Sequence, residues 1–236
     1  MTEATPAREA LSPSSQINLR IEAVLVAISE SVKPIGIRAI ARRCGLAPST
    51  THRILLRLEE IGFVKRASRS GWLLAEKLLL LGAVARRQNQ LPTLTSPEIL
   101  ALKKETRGKT LLGLRLQDAV LLCEETAEKT LPLHDSLIGK VFLATFTAED
   151  LSLYLTRNGI KGAQREAIFL DREKLKKNGW LQSDAEDFTQ SIVAAPIRQD
   201  PTEPARAVLA LSFEAGSAIE PATVRALLHA AKQLAA

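Results

Sequence analysis

Between Ile37 and Gly62 the chain carries two segments with apolar residues at helical spacing, separated by little more than one glycine, and few folds accommodate that pattern. In the first segment Ile37, Ile40 and Ala41 line one face, with Arg38, Arg42 and Arg43 outside. Gly45 supplies the turn, because glycine takes the left-handed backbone that ends a helix and redirects the chain. Leu46 then folds back towards a core. The next helix is expected over 48–62, opening at Pro48-Ser49, where proline costs nothing in a first turn, and ending at Gly62. The small Ala41 lets the two helices approach closely. The arrangement is a helix-turn-helix.

At about 100° per residue, Thr51, Ile54, Leu55, Leu58 and Ile61 group on the inner side of that second helix. Ser49, His52, Arg53 and Leu56 point away, with Thr50 and Arg57 on the flanks. A helix docked in this mode puts its first turns into the major groove, where Arg bonds guanine and Ser, Thr or His reach base edges or phosphates. Its N-terminus, with free N–H groups, also suits a phosphate. The candidate nucleic-acid contacts are Arg38, Ser49, Thr50, Thr51, His52, Arg53 and Arg57.

The flanks extend the motif. Upstream, Ile17, Ile21, Val24, Leu25 and Ile28 predict a helix over 18–31, stopped by Lys33-Pro34 and preceded by an unstructured tail, 1–16. Downstream, "FVKRASRSGWLL" reads as two short strands, 63–66 and 71–74, joined by a basic turn, which is the wing of a winged helix. Lys65, Arg66 and Arg69 would lie on the sugar-phosphate backbone, adding affinity and little sequence choice. The winged helix-turn-helix thus spans 17–74. A linker helix, within 75–96, follows, with an apolar face wide enough to pack on a second subunit.

Charge follows the same division. Residues 1–90 hold 14 Lys and Arg against 7 acids, and residues 91–236 hold 18 against 19, so the whole surplus lies in the first segment. A basic module joined to a neutral one suits nucleic acid at one end and another task at the other. The two cysteines, Cys44 and Cys123, fit a reducing compartment, and with three scattered histidines they make no metal-ligand spacing, so neither metal nor cofactor is expected. The tail lacks the basic start and apolar run of a secretory signal, and the longest apolar stretch, "LLLLGAVA", is too short to span a bilayer. These features point to the cytoplasm.

From residue 97 helix and strand patterns mix. Helices are expected at 97–107, 134–145, 150–157, 171–178 and 222–235, a hairpin over 110–126 turning at Gln117-Asp118, and strands at 191–198 and 207–214. Antiparallel strands with helices on the faces make an α+β domain over 97–236.

"GLAPSTTHRILLRLEEIGFVKR" followed by "GWLLAEKLLLLG" closely resembles the N-terminal domain of the IclR family of bacterial transcriptional regulators, with Trp72 where the family usually has tyrosine. "LPLHDSLIGKVFLA", "NGW" and "VAAPI" resemble that family's effector-binding domain. The resemblance covers about nine tenths of the chain. It implies a GAF-like or profilin-like second domain, operator DNA as partner, a homodimer or homotetramer, and a small organic acid or aromatic effector. Carried over position by position, the effector residues are Leu137 and Ile138 with Gly139 of the Gly-Lys pair, Ser183 or Asp184, Ile192, and Ala210 with Ser212. Several are bulkier than the family pattern. Either the effector is more hydrophobic, or the pocket has partly closed and the domain serves oligomerisation only.

Two other readings stay open: a small-molecule enzyme with an accessory winged helix, and a winged helix used for protein contact. For an enzyme, Cys123 and His134 would be thiol nucleophile and base, and Asp184, Glu186 and Asp187 paired acids. Cys123, however, sits in an apolar strand pattern, His134 begins a helix, and the acids mark a solvated loop. No catalytic residue is assigned.

Overall fold

A computed structural model of the protein describes residues 13–67, 71–124, 128–183 and 190–236. The chain divides into two compact units, Met1–Ala85 and Arg86–Ala236.

The first unit holds α1 (Pro13–Ser29), α2 (Ile37–Cys44), α3 (Pro48–Glu60), the hairpin β1 (Val64–Arg66) and β2 (Trp72–Leu74), and most of α4 (Lys77–Gln88). Helix α1 begins at Pro13, so residues 13–16 leave the expected tail, while 1–12 lie outside the described residues. Its polar first turn has no apolar periodicity to reveal it. Gly45 caps α2 at φ +64°, and its N–H returns to the Ala41 and Arg42 carbonyls. The Leu46 N–H bonds Ala41 O, so the turn is closed twice. Val24, Ile28, Ile40, Leu55, Leu58, Val64 and Trp72 form the core. Ile61, expected inside, is 50% exposed because α3 ends before it. In the hairpin, Val64 pairs with Leu74 and Arg66 with Trp72, and Ile35 bridges to Trp72 as a third short pairing.

In the second unit α5 (Pro97–Glu105) precedes a six-stranded antiparallel sheet. Its strands are β3 (Lys109–Leu116), β4 (Ala119–Cys123), β5 (Glu128–Pro132), β6 (Leu181–Gln182), β7 (Gln190–Ile197) and β8 (Ala207–Glu214), in the order β5-β4-β3-β8-β7-β6. Between β5 and β6 come a 3-10 turn, Leu133–Asp135, and α6 (Leu137–Thr145), α7 (Ala148–Arg157) and α8 (Gly162–Asn178); α9 (Pro221–Gln233) closes the unit. The sheet is covered on both faces. Val208 and Ala210 of β8 pack with α6, α7 and α8, whereas Ala207, Leu209 and Leu211 pack with α5 and α9. That explains why β8 is apolar throughout rather than alternating.

Three elements differ from expectation. Strand β5 went unforeseen because its side chains are mostly exposed, and backbone pairing with β4 alone defines it. Helix α8 starts nine residues early, at Gly162, since only Ile168 and Leu175 along it are buried. The helix expected from His134 is split: Ser136 caps α6 by accepting the Gly139 N–H, leaving His134 in the 3-10 turn.

Candidate nucleic-acid interface

The recognition face is built by pinning the opposite face of α3. Thr51, Leu55 and Leu58 are buried at 0%, 0% and 3% exposure, and this fixes the rotation of the helix about its axis. Ser49, His52, Arg53 and Arg57 are then left exposed, with Thr50 half-buried. Thr51 is a correction to the expected contacts. Its hydroxyl donates to Ala47 O at 3.1 Å inside the core, so it cannot reach a base. Arg38, at the start of α2, joins His52 and Arg66 around a cleft of about 720 Å³ whose wall includes Trp72. Two other elements, α2 and β1, thus bring guanidiniums to one edge of α3.

The wing is not the free cationic strap that the sequence suggests. Lys65 pairs with Glu76, and the ammonium holds that carboxyl below its usual range. Arg66 lies 3.4 Å from Glu59 and stacks at 4.9 Å over the Trp72 ring. Such exposed pairs are weak and screened by solvent, so phosphate can displace the acids, but part of the wing's charge is cancelled beforehand. Glu59 and Glu76 are functional neighbours that sequence reasoning missed, since nothing in their spacing marks them as partners of the wing. Arg69 lies outside the described residues. Arg43 is structural: it donates to Ala27 O at 2.9 Å and ties α2 to α1.

In the second unit the candidate effector residues share one face of the sheet but are largely packed. Leu137, Ile138 and Ala210 are 4%, 3% and 0% exposed. Gly139 is buried against the Leu133 backbone, and Ile138 sits directly on Gly113. Ile192 stands opposite Ser212, yet Ser183 is committed to the fold: its Oγ accepts the Ile192 N–H at 2.8 Å. Asp184, with Glu186 and Asp187, lies outside the described residues. Among the described residues of the set, Ser212 lines a cavity of about 990 Å³ at the end of the sheet, where it donates to Gln190 Oε1 at 2.7 Å near Arg107, Phe213 and Thr223.

A thiol–imidazole pair does not form. His134 Nδ1 shares a 2.7 Å hydrogen bond with the Tyr154 hydroxyl, and burial pushes the Cys123 thiol up, away from thiolate. Among the described residues no group of three His, Cys, Asp or Glu could hold a metal, and no helix is long and apolar enough to cross a membrane.

Residues 20–68, the segment that forms α1 to the wing, match the family model of the IclR helix-turn-helix domain. The transcriptional repressor IclR of Escherichia coli is 26% identical over 147 residues, covering 56% of this chain and 54% of its own. The first unit carries an IclR-type helix-turn-helix domain. The regulator KdgR of Dickeya chrysanthemi is likewise 26% identical, over 151 residues, 59% of this chain and 49% of its own. The match therefore spans about half the length of these curated relatives. Among solved structures, an IclR homologue from Microbacterium hydrocarbonoxydans, complexed with 4-hydroxybenzoate, has TM-score 0.69 at 23% identity, over 91% of this chain and 97% of that one. This likeness extends the IclR architecture to the second unit as a fold. Within that fold, Trp72 does at the wing base what a smaller aromatic could not do as fully: at 6% exposure it fills the core and still offers Arg66 a ring face.

Proposed function

We propose that the protein is a transcriptional regulator that binds operator DNA through α3 as a homodimer or homotetramer and responds to a small organic or aromatic acid. The observation that carries the reading is the pinned rotation of α3, which leaves Ser49, His52 and Arg53 outward beside the cleft of Arg38 and His52. One module covers only a few base pairs, so a useful specificity ratio needs two, with half-sites about 34 Å or a multiple apart. Helix α4 supplies a surface for pairing: it buries no residue, and Leu79, Leu80 and Leu81 are 74%, 64% and 45% exposed. Such a target places its work in the cytoplasm.

Binding to a promoter duplex should weaken steeply with salt, with two chains or a multiple of two per palindromic site. Arg53→Ala should cut the preference for that site over a random duplex roughly 5- to 100-fold. An unchanged preference would show that α3 has been given the wrong reading face.

The 4-hydroxybenzoate held by the Microbacterium relative supports a small acid as effector. The cavity lined by Ser212 and Gln190 supports this reading by offering polar groups to such an acid. By acting on the population of conformers, such a ligand would alter operator affinity without touching DNA. At about a hundredfold excess over its Kd, a bound acid should raise Tm by about 5 °C or more, and Ser212→Ala should abolish the shift. A panel of benzoates and short-chain acids that leaves Tm unmoved would favour a second unit serving oligomerisation alone.

A further inference from the structure

We infer that Arg20, outside the helix-turn-helix, grips the DNA backbone together with Arg57, on the strand that bounds the major groove opposite the wing. The inference rests on the operator-binding reading and adds a second wall to it. Thr50, Arg53, Ile54 and Arg57 recur at i, i+3, i+4 and i+7 and form the edge of α3 away from the wing cleft. Across a notch of about 290 Å³ that edge faces Ile17 and Arg20 of α1. Among the described residues no acid lines this notch. Among the described residues the side chains of Arg20, Arg53 and Arg57 have no ion-pair or hydrogen-bond partner, in contrast to Lys65 and Arg66, whose acids are already in place.

Charge distribution alone decides little, but the groove's geometry gives it direction. A helix with its side chains is about 10–12 Å across and the major groove about 12 Å wide, so a helix seated there meets phosphates on both sides. The wing cleft faces one side. The arginine notch faces the other, and its uncompensated guanidiniums match phosphate as planar, two-pronged donors. Ile17 and Ile54 supply the apolar part of the lining. A phosphate seated in the notch would also relieve the mutual repulsion of three like charges.

The test uses the full chain, a 35-base-pair duplex from the promoter beside its own gene, and a random duplex of equal length. Arg20→Ala should weaken both duplexes by the same factor, roughly 5- to 10-fold near physiological salt. It should also lower the log K against log[salt] slope by about 0.9 for each module bound. Arg20→Lys, which keeps the charge, should recover most of the slope, and Lys65→Ala should change it less than Arg20→Ala does. Arg20 is exposed, and unchanged far-UV circular dichroism and Tm would exclude a folding effect. A wild-type slope in Arg20→Ala, or a change in preference between the two duplexes, overturns the backbone contact while leaving the operator reading intact. A wild-type chain that binds neither duplex overturns both.

Discussion

Gly139→Ala should destabilise the second unit by about 3 kcal/mol or more, at the upper end of what overpacking costs, and lower its Tm by roughly 6–12 °C. The added methyl would stand 2.6 Å from both the Cα and the carbonyl carbon of Leu133. Backbone cannot swing aside as a side chain can, so either the 3-10 turn or α6 must move. Both are fixed: Ser136 holds the Gly139 N–H at 3.0 Å, and His134 is tied to Tyr154. Urea titration of variant and parent would measure the loss. A Tm within 2 °C of the parent would mean that the turn yields freely and that Gly139 is available to a ligand pocket after all. The expected result instead makes Gly139 a packing residue between α6 and the 3-10 turn.

Leu55→Ala should abolish duplex binding without touching the reading face. Leu55 is 0% exposed and faces the core from the middle of α3. Truncating a fully buried leucine costs about 2–5 kcal/mol, a large share of the 5–15 kcal/mol that holds a typical domain together. The first unit has a small core, so binding at 37 °C should fall at least tenfold, together with helical circular dichroism. Arg53→Ala supplies the contrast, because it should alter site preference with the helical signal intact. If Leu55→Ala bound within twofold of the parent, the rotation of α3 would have to be set by something other than this core.

How legible these features were depends on how local their cause is. Gly45 and the apolar stripe of α3 act within a dozen residues, so the sequence pattern and the structure coincide there. Thr51 was legible as an inner residue and misassigned as a contact, because residue type suggested a hydroxyl donor where helix phase already buried it. Strand β5 and the start of α8 show little burial and hence little periodicity; their reasons lie in the β4 ladder and in packing on α6. The wing's neutralising acids, Glu59 and Glu76, come from elements 7 and 11 residues away from their cations, a proximity only the folded hairpin creates. The filled effector face was partly readable from the bulk of Leu137, Ile138 and Ile192. Ser212 was named from the resemblance; what sequence could not supply was Gln190 beside it at the cavity.

If the operator-binding reading holds, the Arg66 clasp bears on how tightly the protein engages DNA. With its guanidinium over Trp72 and beside Glu59, the start of the hairpin is fastened to the far end of the recognition helix. On the operator-binding reading, helix and hairpin are aligned before DNA arrives by contacts weak enough for phosphate to replace Glu59, so less ordering entropy remains to be lost on binding.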